Sequence, residues 1–81
     1  MDTAVHPGKR PVFKLEIGQR LQFFEPVHLE SRHIAAGTIV RIGAIMNHLL
    51  GEPDVTVTTQ DQHSELWKLP RHVLTMHCWP L

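Results

Sequence analysis

Apolar and polar side chains alternate in this chain over short runs only, and each run is closed by glycine, proline or a polar cluster. That pattern limits the available folds more than any other feature, because strict alternation describes a half-buried strand and short runs describe a small, many-stranded sheet. The strongest run is Ala36-Gly37-Thr38-Ile39-Val40-Arg41-Ile42, rich in β-branched residues, with a glycine that permits a bulge or a close backbone approach. Before it, Phe13, Leu15 and Ile17 alternate with Lys14 and Glu16 as a strand or extended lead-in. Gly18-Gln19 then turns the chain into Arg20–Glu25, whose Leu21 and Phe23 face inward until Pro26 ends the strand. The polar stretch from His28 to His33 reads as a loop.

Beyond Ile42 the pattern admits two readings. The strand can continue into a long hairpin, or 44–50 can form a short helical turn with Ile45, Met46, Leu49 and Leu50 on one face and Gly51 as its stop. Val55–Thr59 is a strand, Asp61–Ser64 a polar turn, and Glu65–Leu69 a further strand. Pro70-Arg71-His72 reads as a tight turn and Val73–Cys78 as the last strand. The expected class is therefore all-β, built on five strands. Met1–Pro11, with two prolines and a glycine and no apolar periodicity, is expected to be a flexible arm, leaving 12–81 as one domain.

This order of strands resembles the SH3-like small β-barrel. The resemblance lies in Ile17-Gly18-Gln19-Arg20-Leu21, similar to the hydrophobic-Gly-Asp-x-hydrophobic opening of KOW-type barrels but with Gln19 in place of the acid. Gly37–Ile42 and Leu69-Pro70-Arg71-His72-Val73-Leu74 complete it. Leu66–Leu74 also resembles the Val-Gln-Ile-Tyr-Pro strand of type II dihydrofolate reductases, tetramers of a small barrel of this kind. Trp67 stands where that family has its glutamine and Leu69 where it has its tyrosine, so the polar groups that line the family's pore are not matched.

No other constellation carries catalysis. The single thiol, Cys78, sits in an apolar segment and reads as a buried, inert side chain. It also excludes an intrachain disulfide. The seven histidines lack Cys-x-x-Cys or His-x-x-x-His spacing, and the neighbours His77 and Cys78 point to opposite faces of a strand, so no metal site is expected. His28 and His33 form a loop pair, and several imidazoles charging together give a pH-sensitive surface. The carboxylates Glu25, Glu30, Glu52, Asp54, Asp61 and Glu65 are scattered over loops. No catalytic residue and no cofactor are expected. The N-terminus has no apolar h-region, and the longest uncharged stretch, 42–51, is too short to span a bilayer, so a cytoplasmic location without membrane contact is expected.

Charge and apolar content then divide the binding functions. Eight Lys/Arg balance eight Asp/Glu, which excludes a strongly basic nucleic-acid grip. The cations still favour the first half, where Lys9, Arg10, Arg20, Arg32 and Arg41 are the candidate contacts for a nucleic-acid-binding barrel. Apolar residues make up 42% of the chain, and an interior of about a dozen side chains is largely filled by Leu21, Phe23, Val40, Ile42, Val55, Val57, Leu69, Leu74 and Met76. Phe24 and Leu81 join Ile45, Met46, Leu49, Leu50, Trp67 and Trp79 as the surplus, and these last six are the candidate contact surface. The expectation is a small protein-interaction or regulatory module, self-associating or bound to a protein partner.

Overall fold

Two glycine turns and one bulge set the course of the chain. The computed structural model describes residues 13–61 and 63–81, so the arm expected over 1–11, with Lys9 and Arg10, lies outside the described residues. Phe13 and Leu15 pack against the core as an extended lead-in that pairs with no strand. Gly18 then takes φ +90° at the third position of a turn in which the Gln19 N–H donates to the Glu16 carbonyl at 3.1 Å. Gly37 takes φ +91° at the same position of the turn 35–38, closed by the Thr38 N–H on the Ala35 carbonyl at 3.3 Å. Both are type II geometry, which demands a positive φ there and so selects glycine.

The elements that follow are β1 (Arg20–Phe23), β2 (Val27–His28), β3 (His33–Ile34), β4 (Ile39–Met46), β5 (Asp54–Thr59), β6 (Leu66–Pro70), α1 (Arg71–His77) and β7 (Cys78–Pro80). Five of the strands form one antiparallel sheet in the order β6-β5-β4-β1-β7. β2 and β3 form a separate two-stranded hairpin inside the β1–β4 connection. Among the described residues the chain is thus mostly β with one short helix, and β6 and β7 are the two edges of the larger sheet. α1 carries the chain from one edge to the other. The inward faces bury Leu21, Phe23, Val40, Ile42, Val55, Val57 and Leu69, closed over by Val73 and Leu74 of α1 and by Val27 and Ile34 of the small hairpin.

Four expectations change. The segment 44–50 does not form a helical turn: β4 runs to Met46, and the register slips by one residue between Ile42 and Ala44. This bulge at Gly43 breaks the alternation, so that Ile45 rather than Ala44 turns inward, and the shifted pattern imitates a helical face. The segment 70–78 is neither a tight turn nor a strand. Pro70 is the N-cap of α1 with φ −63° and ψ 148°, and the Arg71 N–H donates to the Pro53 carbonyl at 3.1 Å. Val73, Leu74 and His77 fall on one helical face, and core contact overrides the low helix propensity of Val and Thr. The last strand is consequently the short β7.

His28–His33 is a tight hairpin rather than an unstructured loop. Leu29 and Arg32 exchange backbone hydrogen bonds of 2.8 and 3.3 Å around Glu30-Ser31. Met76, finally, is not interior: it stands 46% exposed on the outer side of α1. The polar turn after β5 forms as expected. Asp61 Oδ1 accepts from the backbone N–H groups of Ser64 and His63 at 3.0 and 2.9 Å and from the Thr59 hydroxyl at 3.2 Å. Those backbone hydrogen bonds, from Ser64 first, hold its carboxyl below the ordinary range.

Candidate interaction surfaces

The β4–β5 hairpin is tied down at its base and bare at its tip. At the base, His48 Nε2 lies 2.9 Å from Asp54 Oδ2, and His72 Nδ1 lies 2.6 Å from both oxygens of Glu52. Together with the Arg71–Pro53 hydrogen bond, these contacts tie the loop to β5 and to α1. Ile45 packs partly against the core, whereas Met46 is 60% exposed, Leu50 87% and Leu49 99%. Two adjacent leucines with almost no protein contact, carried on a tethered hairpin, are the most exposed large apolar side chains among the described residues.

The two tryptophans do not join that surface. Trp67 is only 8% exposed and belongs to the core, its Nε1 donating to Glu65 Oε1 at 3.0 Å and the Arg32 guanidinium resting 4.7 Å from its ring centroid. The expectation that Trp67 is surplus is therefore corrected. Period two decides it, because Trp67 and Leu69 are two residues apart on β6 and share its inward face. The same rule points Leu66 and Lys68 outward, and Leu66 is an exposed apolar residue that the surplus does not include. Both positions singled out by the reductase resemblance, Trp67 and Leu69, thus point into the core. Trp79 is half-buried and packs on Phe24 at the β7 edge, with ring centroids 4.6 Å apart and tilted by 43°.

A second surface lies on the outer face of the five-stranded sheet. Arg20 of β1 and Arg41 of β4 are register partners, both exposed, and Thr58 and Leu66 continue their row across β5 and β6. In the next row Lys68 stands opposite Thr56, and on the other side Gln22 stands opposite Trp79. Arg32, by contrast, lies in the β2–β3 turn outside that sheet, held over Trp67 and 4.0 Å from Glu65.

Five of the six histidines among the described residues fall into pairs. His28 and His33 stack with centroids 4.1 Å apart across the β2–β3 hairpin. His48, His72 and His77 each meet one carboxylate. Among the described residues no three His, Cys, Asp or Glu side chains converge on a metal position. Burial pushes the Cys78 thiol up to about 12, which leaves no thiolate for nucleophilic chemistry at neutral pH. No helix of the described residues is long and apolar enough to cross a membrane. Comparison with protein-family models, with curated proteins and with solved structures finds no match.

Proposed function

We propose that this chain is an SH3-like barrel serving as a protein-interaction module, and that its partner is a second copy of itself docked through the β4–β5 hairpin. The barrel reading is supported by the strand order β6-β5-β4-β1-β7, by the long β1–β4 connection with its own hairpin, and by the single helix between the last two strands. The observation that carries the interaction reading is the exposure of Leu49 and Leu50 on a hairpin whose base is fixed. A loop tip serving only to reverse the chain is ordinarily built from small or polar residues. The zero net charge favours a second copy, because two identical chains then meet without long-range repulsion.

Magnitudes place this association in the weak range. Full burial of a leucine side chain stabilises by about 1.5–3 kcal/mol, and two leucines from each copy would be covered. Lost translational and rotational freedom costs at least about 4 kcal/mol. With that smallest cost the remainder is about 2–8 kcal/mol, and its midpoint corresponds to a Kd on the order of 100 µM. Sedimentation equilibrium between about 10 µM and about 1 mM brackets that value. The expected result is a mass that rises with concentration for the native chain and stays monomeric for L49S/L50S. A native chain that stays monomeric across the range overturns the reading.

A further inference from the structure

We infer that the outer face of the five-stranded sheet is a binding site for single-stranded nucleic acid, distinct from the hairpin tip and independent of self-association. The inference starts from a juxtaposition that costs stability. Arg20 and Arg41 are direct cross-strand partners, and like charges in that relation repel. Neither has a carboxylate within ion-pairing distance among the described residues.

Five of the seven carboxylate side chains among the described residues are committed elsewhere, and the other two, Glu16 and Glu30, pair with neither arginine. Glu25, Glu52 and Asp54 each hold a histidine, Asp61 closes its turn, and Glu65 holds Trp67 and Arg32. Arg20 and Arg41 thus keep their charges uncompensated by a direct ion pair, on a molecule that is neutral as a whole. Lys68 adds a third cation to the same face, two strands from Arg41 and one side-chain step along, roughly 12 Å away by strand spacing. The hydroxyls of Thr56 and Thr58 lie between them and can donate to phosphate oxygens.

The rim supplies the second element that a single strand requires. Trp79 sits opposite Gln22, one step along β1 from Arg20, half-exposed and braced against Phe24. A braced indole beside a row of cations is a platform for an unpaired base, a contact worth about 1–3 kcal/mol and indifferent to sequence. An unpaired strand leaves its bases free to stack on that indole while its phosphates follow the cations, so the single strand is the form recognised.

The test is fluorescence anisotropy of a labelled mixed-sequence 12-nucleotide single strand, titrated with the full chain at several salt concentrations between about 20 and 200 mM. Three neutralised phosphates give a slope of log K against log salt of about −2. The R20A/R41A variant is expected to bind at least tenfold more weakly, with a slope near −0.7. Its circular dichroism and melting temperature should be unchanged or improved, since a repulsive pair has been removed. W79A should weaken binding without changing the slope, and L49S/L50S should bind as the native chain does. Absence of binding at the lowest salt, a flat salt response, or an R20A/R41A variant that binds like the native chain overturns the proposal. So does equal binding of the same strand in duplex form, or of a poly-glutamate peptide of matching charge.

Discussion

His77 Nδ1 lies 2.5 Å from Glu25 Oε2, joining the last turn of α1 to the chain just past β1 across 52 residues of sequence. The Phe24 N–H donates to the His77 carbonyl at 3.0 Å, so backbone and side chain make the same connection twice. A seven-residue helix cannot hold itself in water. Here the tie acts with Val73 and Leu74 to hold α1 against the sheet. Both partners are partly open to solvent, which keeps their coupling near about 1 kcal/mol. A double-mutant cycle with E25Q and H77A, followed by urea denaturation, should return that coupling energy. Strictly additive single effects would show that the side-chain pair contributes nothing.

Trp67 carries more of the stability than any exposed aromatic can. W67A removes a buried indole and leaves a cavity beside Val57, its register partner, for a loss of about 3–5 kcal/mol. A domain of this size holds only about 4–12 kcal/mol in total, so W67A removes at least about a quarter of it. W67F keeps most of the volume and loses the Nε1–Glu65 hydrogen bond, for about 1–2 kcal/mol. Urea midpoints of the two variants should fall in that order. R32A, which removes only the cation above the ring, should cost under about 1 kcal/mol.

Most of this architecture is legible in the alternation of side chains, because a strand with one face on the core writes its register into the chain. Leu21/Phe23, Val40/Ile42 and Val55/Val57 are all interior as their period requires. The reading fails where a single residue shifts that period. Gly43 adds one residue to β4, and from there a correct parity count assigns the wrong side chains inward. α1 is hidden for another reason. Its two turns combine β-branched residues with core contacts supplied by distant strands, and no local signal records those contacts. The hairpin leucines were legible from their surplus alone, whereas the Arg20–Arg41 pair was not. Those residues are 21 positions apart, and only strand pairing brings them together.

Gly37 and Gly43 lie on either side of the β4 core and should respond to alanine in opposite directions. At Gly37 a Cβ meets no atom within 4 Å, so the whole penalty comes from the backbone at φ +91°. That strain is about 1–2 kcal/mol. Loss of the turn would also loosen the Gly37 N–H bond to the Phe23 carbonyl, 2.7 Å long. At Gly43 the backbone is ordinary and the added Cβ sits 3.7 Å from the Thr56 carbonyl oxygen, a normal contact. Reduced freedom of the unfolded chain then stabilises G43A by a few tenths of a kcal/mol, up to about 1. Thermal melts of G37A and G43A should shift down and up respectively, and a G37A melt at or above the native value would remove the turn argument.

Cys78 links the core to the alkaline limit of stability. Its side chain is buried opposite Phe23, and burial raises the thiol from its ordinary 9.0 to about 12. The folded state therefore holds its proton more tightly than the unfolded chain does. Stability is unaffected below pH 9 and falls as pH climbs from there toward 12, by about 1.4 kcal/mol for each pH unit in that interval. C78A lacks the titrating group and should flatten this part of the stability curve, at the expense of a small cavity at lower pH. The same burial shields the thiol from reagents. In the native protein at pH 8 a disulfide reagent such as dithionitrobenzoate should react only as fast as the domain opens, and in urea at once. Fast labelling of the folded protein, or an alkaline slope identical in C78A, would show that Cys78 is not sealed in the core.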